Sequence, residues 1–337
     1  MNFFRFALVA FIAVTIAASG AMAESMDEAK ARLAKLKPAD FPTKPIELMV
    51  AYGAGGGMDT VARRMAQALE KYIGVKVNVV NRTGGSGMIG HTYFITQAPN
   101  DGYTAAFLAN TIWIDGVLRS QGKWSHTDAQ PIAFVNYDPI SIMTSGKREF
   151  RDLSFKQIVE KAIKQPNTIR VSVVPGTALE LAIDQISELT GAKFIKVPFQ
   201  TGMAGITALL GGHIELASGF YPEYGPFLGT GDIKALAVSA QERMNLLPDT
   251  PTLIESLNKN IIWTSYRYVA VPKNTPRDRV DYLAAAFNAM LADPAIADSF
   301  TKNGQVTYRR LDTPEKVEAE VAKLFALEKP NYKAPTK

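Results

Sequence analysis

The sequence predicts an α/β protein with two lobes, each built on a parallel sheet with helices on its faces. Three observations support this fold class. Apolar runs of strand length alternate with segments of helical spacing through most of the chain. The alternation starts a second time near Pro139. The chain has 337 residues, 47% hydrophobic and 20% charged, so it is long enough for two globular domains.

The first lobe follows a short charged helix over residues 26–37 and a link that contains three prolines. Residues 60–72 and 88–97 have the apolar spacing of amphipathic helices. They separate three apolar runs that predict strands, IELMVA (46–51), KVNVVN (76–81) and TAAFLAN (104–110). This order predicts a parallel sheet with helices packed on it.

The second lobe has the same layout without a recognisable sequence repeat. The capping box from Ser154 to Gln157 opens one helix, and another ends at Gly191. Two last helices each open on a Thr-Pro pair, Thr275-Pro276 and Thr313-Pro314. The predicted strands are ISIMT (140–144), IRVSVV (169–174), FIKV (194–197), HIELAS (213–218), IKALAVS (233–239) and YRYVAV (266–271).

Residues 1–23 have the pattern of a signal peptide. Arg5 precedes an apolar run over residues 6–18, and Ala21-Met22-Ala23 fits a small-residue cleavage site. We therefore expect export to the periplasm and a mature chain that begins at Glu24. The apolar run is shorter than the ~20 residues that a membrane-spanning helix needs. The absence of cysteine excludes disulfides and thiolate chemistry, and the scattered basic residues argue against nucleic acid as a partner.

The first strand ends in a loop made almost entirely of glycine, residues 53–57, and a helix follows at once. Such a loop exposes main-chain N–H groups at the positive end of a helix dipole, where anions bind. It lacks the Lys-Ser/Thr of a phosphate-binding P-loop, so a carboxylate is the better fit. A tight turn without a ligand is the alternative explanation.

A second glycine turn, Arg82 to Gly90, follows the next strand. Residues 85–90 match G-x-G-x-x-G, which raises the alternative of a dinucleotide site. That fingerprint normally lies on the first strand-to-helix turn, with an acidic residue ending the following strand, whereas here that strand ends in Asn110. Two adjacent anion-binding turns on one sheet edge are therefore the preferred interpretation.

A third turn, Val174 to Thr177, leads from a strand into a helix in the second lobe. The Thr177 hydroxyl is predicted either to cap the helix or to contact a ligand. Glycine-rich turns from two lobes that face one crevice describe a binding cleft. Aromatic side chains near the turns, including Tyr52 and Phe199, could line it.

Catalytic patterns are missing from the sequence. The three histidines, His91, His126 and His213, have no metal-ligand spacing and are more typical of surface or structural positions. Ser86 does not lie in a G-x-S-x-G elbow. We expect a binding protein without metal or cofactor and without enzymatic activity.

Several longer motifs carry a family resemblance. They are PIELMVAYGAGGGMDTVAR, VNVVNRTGGSGMIG, APNDGYTAAFLAN, VPFQTGMAGITALLGGHIELASG, GDIKALAVSAQERMNLLPDTPTLIE and VAVPKNTP. In this order they resemble the substrate-binding proteins of tripartite tricarboxylate transporters, the Bug-type extracytoplasmic solute receptors. The resemblance covers the chain from about Pro42 onward.

The resemblance implies a two-domain fold of the type II periplasmic-binding-protein kind, with the ligand cleft between the domains. Domain 1 would comprise residues 24–138 and 261–337, and domain 2 residues 139–260. Crossing strands would join the two. The protein would be a monomer that delivers a small di- or tricarboxylate to the permease subunits of a tripartite transporter. A sensor that presents the carboxylate to a signalling partner is an alternative with the same fold.

The resemblance also assigns site residues. One carboxylate of the ligand would be held by the two glycine turns, and the second domain would contribute Thr177 and Phe199. Gly219, where many relatives have aspartate, is similar to the tricarboxylate-binding branch. Arg267 would either grip a second carboxylate or form an ion pair with Glu223 or another acid. The predicted ligand-binding residues are Tyr52, Gly53, Ala54, Gly55, Gly56, Gly57, Asp59, Thr83, Gly84, Gly85, Ser86, Thr177, Phe199, Gly219 and Arg267.

Overall fold

A computed structural model describes residues 24–302, 306–307 and 311–332. The predicted signal peptide, residues 1–23, lies outside the described residues. Within them the chain forms strands β1 (Ile46–Val50), β2 (Val77–Asn81), β3 (Thr104–Ala109), β4 (Ala129–Ser145), β5 (Arg170–Val173), β6 (Ile195–Pro198), β7 (Leu216–Phe220), β8 (Ile233–Val238), β9 (Thr264–Pro272) and β10 (Val306–Thr307). Each predicted strand is confirmed, with ends shifted by a few residues except in β4.

The helices pack between and around these strands. They are α1 (Met26–Leu36), α2 (Gly57–Ile73), α3 (Met88–Thr96), α4 (Thr111–Ile114), α5 (Phe155–Lys164), α6 (Ala178–Thr190), α7 (Gly202–Gly211), α8 (Tyr221–Tyr224), α9 (Leu253–Leu257), α10 (Arg277–Ala292), α11 (Pro294–Lys302) and α12 (Pro314–Glu328). The capping box at Ser154 is confirmed, and Gly191 ends α6 in the left-handed conformation, as expected for a helix C-terminus.

The strands form one sheet path in the order β2-β1-β3-β9-β4-β7-β5-β6, with β8 and β10 also paired to β4. β1 is parallel to β2 and β3, and β5 is parallel to β6 and β7. β4 and β9 run antiparallel in the middle. We call β1, β2, β3, β9, β10 and residues 129–139 of β4 the first sheet half, and β5 to β8 with residues 140–145 the second sheet half.

The 17-residue strand β4 joins the two sheet halves. It pairs with β9 from Ala129 to Pro139 and with β7 from Ile140 to Thr144. The predicted strand at residues 140–144 was too short, because the second lobe was expected to begin near Pro139. Proline also lacks the N–H that a sheet ladder uses, which disfavours it inside a strand. Pro131 instead lies where the register with β9 shifts, and Pro139 lies where β4 changes partner.

Apolar spacing explains why α2 forms and where it packs. Val61, Met65 and Leu69 recur at four-residue intervals and are buried, and α2 packs on β2 and β1. Gly74 ends the helix with φ +73°, a conformation that costs glycine nothing. Packing of this buried face fixes the N-terminus of α2, which begins at Gly57, the last residue of the first glycine turn.

The end of the chain differs from the prediction of two helices. α10 begins at Arg277, and the Thr275 hydroxyl donates to the Pro272 carbonyl instead of capping the helix. α11 is a separate helix that begins at Pro294, after α10 ends. Thr313 caps α12 as predicted.

Candidate functional site

The predicted glycine turns lie at the carboxyl ends of parallel strands. β1 and β2 are parallel, and Val50 pairs with Asn81, so the turns that follow them are neighbours. The third turn follows β5 in the second sheet half. In sheets of this kind ligands bind outside the carboxyl ends of the strands. The structure therefore places the three predicted turns where a ligand site is expected.

The first glycine turn leaves the start of α2 without a cap. Gly56 is the N-cap residue and has no side chain to accept a hydrogen bond. The first bond of the helix runs from Thr60 N–H to the Gly56 carbonyl. Among the described residues the N–H groups of Gly57, Met58 and Asp59 have no acceptor. Three donors and the positive end of a 17-residue helix are thus free for an anion.

Asp59 braces this turn from inside. It is 2% exposed, and its carboxylate accepts hydrogen bonds of 2.8 Å from Gly55 N–H, 2.9 Å from Arg63 Nε and 2.9 Å from Asn81 Nδ2. Burial raises its pKa, but these partners outweigh burial and the pKa of Asp59 is lowered. Its oxygens already accept hydrogen bonds from the protein, so the geometry indicates that Asp59 positions the turn and does not contact the ligand.

The second glycine turn has an unusual backbone. Gly84, Gly85, Ser86 and Gly87 all have positive φ, between 54° and 125°. Gly87 N–H and Ile89 N–H both donate to the Gly84 carbonyl. The N–H groups of Gly85 and Ser86 have no acceptor among the described residues. Successive N–H groups in such a turn form a concave anion-binding nest.

Gly90 completes the G-x-G-x-x-G pattern for a packing reason. A Cβ at this position would lie 2.5 Å from the Arg82 carbonyl oxygen and 2.8 Å from Ala51 Cβ, so only glycine lets α3 approach the strand. Asn110, which follows β3, donates to the Thr264 carbonyl and to Glu328. These contacts give no support to a dinucleotide site.

Tyr52 links the two glycine turns of the first sheet half. A Cβ at Gly87 would lie 3.2 Å from Tyr52 Oη and 3.0 Å from His91 Cε1, so both side chains pack on the glycine. The rings of Tyr52 and His91 meet edge to face at 6.1 Å. Tyr52, which directly precedes the first glycine turn, therefore packs against the second one.

Sequence reasoning missed three side chains that hold the second glycine turn. His91 Nδ1 and Asp115 Oδ2 are 2.7 Å apart, and both residues are fully buried. Arg119 donates to Asp115 and, at 2.8 Å, to the Gly85 carbonyl. The i,i+4 spacing of Asp115 and Arg119 was the available signal, but no motif tied it to a glycine turn 34 residues away.

The third turn, in the second sheet half, is capped. The Thr177 hydroxyl donates to the Val174 carbonyl at 2.8 Å and accepts from Leu179 N–H at 3.2 Å, so it serves the helix. Gly176 N–H donates to Glu180 at 2.8 Å, and Lys196 binds the other oxygen of Glu180 at 2.9 Å. Far fewer main-chain donors are free here than at α2.

Phe199 and Gly219 lie at the ends of β6 and β7. Phe199 is half-buried and follows β6, with its N–H bonded to the Val173 carbonyl. A Cβ at Gly219 would lie 3.1 Å from Ile206 Cδ1 and 3.2 Å from Glu223 Oε2. The space beside Gly219 is thus filled by protein side chains.

Arg267 is 3% exposed and forms an ion pair with Asp138, at the crossing of β9 and β4. Its guanidinium lies 5.3 Å from the centre of the Phe220 ring. Burial raises the pKa of Asp138, against the opposing effects of Arg267 and Asn136. Of the two roles predicted for Arg267, the geometry favours the ion pair, with Asp138 as the partner.

A groove of about 550 Å³ adjoins the second glycine turn but includes none of its glycines; it is lined by Asn81, Arg82, Met88, Ile89, Thr92, Tyr93 and Gln97. Within the described part of the chain no acidic or histidine side chains cluster as metal ligands, and no helix has the length and apolar character to cross a bilayer.

Comparison with known proteins identifies the family. Residues 61–322 match the family described as the tripartite tricarboxylate transporter family receptor. The chain belongs to this family. A UPF0065 protein of Agrobacterium vitis is 27% identical over 296 residues, which cover 84% of this chain and 83% of that protein.

Two solved structures of similar proteins support the fold. The periplasmic binding protein BugD is 26% identical, with a TM-score of 0.77 over 86% of this chain and 98% of BugD. An R. palustris protein solved with adipate is also 26% identical, with a TM-score of 0.77 over 88% of this chain and the whole of that protein. The two-domain periplasmic-binding-protein fold is confirmed. The chain is a solute-binding receptor of this family and not an enzyme.

Proposed function

We propose that this receptor captures a small di- or tricarboxylate in the cleft between its two sheet halves and delivers it to the permease subunits of a tripartite transporter. The observation that carries the proposal is the set of free N–H groups at the first two glycine turns. Gly57, Met58 and Asp59 offer three donors, and Gly85 and Ser86 offer two more. Hydrogen bonds from these donors to a carboxylate would be charge-assisted.

The first two glycine turns bind one carboxylate in this proposal. Residues 52–57 and 83–86 surround it with main-chain groups, and Asp59 positions the first turn. Glycine at these positions lets the ligand approach the main chain closely. The adipate-bound relative supports a ligand with two carboxylates. Phe199 contributes from the second sheet half, where Thr177 shapes the third turn by capping α6. Gly219 and Arg267 act through packing and the ion pair.

Closure of two domains, residues 24–138 with 261–337 and residues 139–260, brings these groups together. The proposed hinge is the crossing of β4 and β9, because β4 exchanges β9 for β7 between Pro139 and Ile140. A ligand that contacts both domains favours the closed form by its extra contacts there. The permease would then recognise the closed form.

Export completes the proposal. Residues 1–23 act as a signal peptide cleaved after Ala23, and the mature protein works in the periplasm as a monomer. N-terminal sequencing and light scattering of protein purified from the periplasm test these points, with Glu24 as the expected first residue.

A ligand screen tests the function. The periplasmic protein is first freed of bound ligand by unfolding and refolding, and its melting temperature is then measured with mono-, di- and tricarboxylates and with nucleotides. A ligand at a hundredfold excess over its Kd stabilises the folded state by about 2.7 kcal/mol, which raises the melting temperature by several degrees. We expect this rise with one class of di- or tricarboxylates. Failure of every carboxylate to stabilise the ligand-free protein would contradict the proposal.

A further inference from the structure

Arg119 has a fixed position in the first sheet half. It ends a single π-helical turn, Asp115–Arg119, that follows α4. Its Nε donates to Asp115 Oδ1 at 2.6 Å, one terminal nitrogen donates to the same oxygen, and the other donates to the Gly85 carbonyl at 2.8 Å. The guanidinium is thus attached to the second glycine turn, and 27% of its side chain stays exposed.

The anchor beneath Arg119 is rigid. Asp115 and His91 are both 0% exposed, and the second oxygen of Asp115 is held by His91 Nδ1. The Asp115 carboxylate therefore cannot turn away from Arg119 without leaving His91 unpaired in the core. A buried polar group that loses its partner is costly, so this arrangement holds the guanidinium in one orientation.

Arg119 also reaches the opposite sheet half. Gly176, in the third turn, has φ +72°, and a Cβ there would lie 3.0 Å from Arg119 Nη1 and 3.2 Å from Cζ. The guanidinium therefore packs against the main chain of Gly176 while it donates to Gly85. This one side chain contacts glycine turns of both sheet halves.

Arg119 retains capacity for a ligand. A guanidinium has five N–H donors, and the three bonds to Asp115 and Gly85 use three of them. No described residue accepts from the other two. Arg267, by contrast, is 3% exposed and tied to Asp138. In the proposed site one carboxylate of a dicarboxylate binds at the start of α2, and the other end of the ligand faces the third turn. The second carboxylate needs a partner there, because a buried charge without one is unfavourable.

We propose that Arg119 binds the second carboxylate of the ligand and so separates di- and tricarboxylates from monocarboxylates. This inference rests on the proposed receptor function. Asp115 already balances the charge of Arg119, so the gain comes from directed hydrogen bonds to a charged group. Loss of such bonds weakens binding about tenfold to a hundredfold.

The test compares matched ligands and matched arginines. Adipate and hexanoate have the same chain length and differ by one carboxylate, and citrate adds a third. Calorimetry measures their binding to the ligand-free protein, to R119Q and R119K, and to the control R148Q. Arg148 likewise donates to a glycine carbonyl, Gly211, and lies over the positive-φ Gly212, but at the C-terminal end of α7.

We expect R119Q to weaken adipate or citrate, whichever the protein binds more tightly, about tenfold to a hundredfold. Hexanoate affinity should change less than about threefold, and R148Q should change neither. R119K keeps the charge without the planar fork, so its preference for the di- or tricarboxylate should be reduced. If R119Q does not fold, R119K carries the test, and an unchanged preference in it overturns the proposal.

Other outcomes separate this inference from the receptor function. Equal losses for hexanoate and the di- or tricarboxylate, or no loss at all, would overturn the role of Arg119. So would wild-type protein that binds hexanoate as tightly as adipate and citrate, although it would remain a carboxylate receptor. Wild-type protein that binds no carboxylate would overturn both.

Discussion

The main-chain N–H of Gly176 donates a 2.8 Å hydrogen bond to the carboxylate of Glu180, four residues later in the first turn of α6. The first sheet half contains the same arrangement, since Gly55 N–H donates to Asp59 at 2.8 Å in the first turn of α2. Both glycines have positive φ, 72° and 79°. The two sheet halves thus brace their strand-to-helix turns in the same way.

The neighbouring strand supplies a partner to each brace. Asn81 at the end of β2 donates to Asp59, and Lys196 in β6 donates to Glu180. The difference is the cap: Thr177 occupies the α6 N-terminus, whereas Gly56 leaves the α2 N-terminus open. A shared scaffold with one open and one capped helix start explains why the first carboxylate is assigned to the first sheet half.

The brace residues provide a matched pair of variants. D59N and E180Q each remove a buried charge that orders a turn, so each should reduce the free energy of unfolding by about 1–3 kcal/mol. Only D59N should also weaken adipate or citrate binding strongly, by about tenfold, because the turn that Asp59 orders offers several free N–H groups and the turn that Glu180 orders does not. Urea unfolding and calorimetry measure the two effects. A greater loss of affinity in E180Q would place the first carboxylate in the second sheet half.

Much of this architecture could be predicted from the sequence, and the exceptions have physical causes. Local patterns identified the parallel strands, the glycine turns and the capping box at Ser154, because each depends on nearby residues. The length of β4 could not be predicted, since Pro131 and Pro139 are tolerated only through the partners that β4 has in the fold.

The site shows the same limit. The free N–H groups follow directly from a glycine N-cap, so local sequence predicts them. Arg119 depends on Asp115, Gly85 and Gly176, which only the fold brings together. Asp59 was predicted among the ligand contacts because the family resemblance assigned the whole first turn to the ligand. Sequence alone does not separate an acid that contacts a ligand from one that holds the loop in place.

Gly56→Val should abolish carboxylate binding while the protein stays folded. Gly56 has φ −74°, which any residue adopts, and its Cβ would meet only the Gly53 carbonyl oxygen, at 3.3 Å. The branched side chain would cover the free N–H groups at the start of α2. Calorimetry with adipate and citrate measures the loss.

Gly229→Val is the matched control, because Gly229 is exposed and a Cβ there meets nothing within 4 Å. It should bind like the wild-type protein. Wild-type affinity in Gly56→Val would remove the first glycine turn from the site.

The buried ion pair of Asp138 and Arg267 should be essential for stability. D138N leaves the Arg267 charge without its partner, which should lower the free energy of unfolding by about 3–5 kcal/mol. R277A removes an exposed arginine that binds Asp281 and Glu315, and should cost less than about 1 kcal/mol. Urea unfolding of both variants makes the comparison, and equal effects would contradict the structural role of the pair.

Replacement of both partners separates that role from ligand binding. D138L/R267M substitutes apolar groups of similar size, so it should recover most of the stability lost in D138N. It should also keep the wild-type preference between citrate and hexanoate, because Arg267 is committed to Asp138. A selective loss of citrate binding in this variant would show that Arg267 grips the ligand.

Glu328 and His126 should give opposite pH dependences. Burial raises the pKa of Glu328 from 4.5 to about 7, despite hydrogen bonds from Tyr332 and Asn110. Between these values the folded state binds the proton more tightly, so this group makes the free energy of unfolding fall as pH rises. Burial lowers the pKa of His126 from 6.5 to about 4, and this group makes the free energy of unfolding rise with pH.

The two effects therefore oppose each other between about pH 4.5 and 6.5, and each single variant should reveal the other group. E328Q removes the contribution to the free energy of unfolding that falls as pH rises, so it should make the protein more sensitive to acid. H126Q should do the reverse, and each slope changes by up to about 1.4 kcal/mol per pH unit. Urea unfolding at pH 4.5, 5.5 and 6.5 measures the slopes relative to wild type, which cancels the titration of all other groups. A variant whose slope equals that of the wild-type protein would show that the removed group titrates in the folded protein as it does in the unfolded chain.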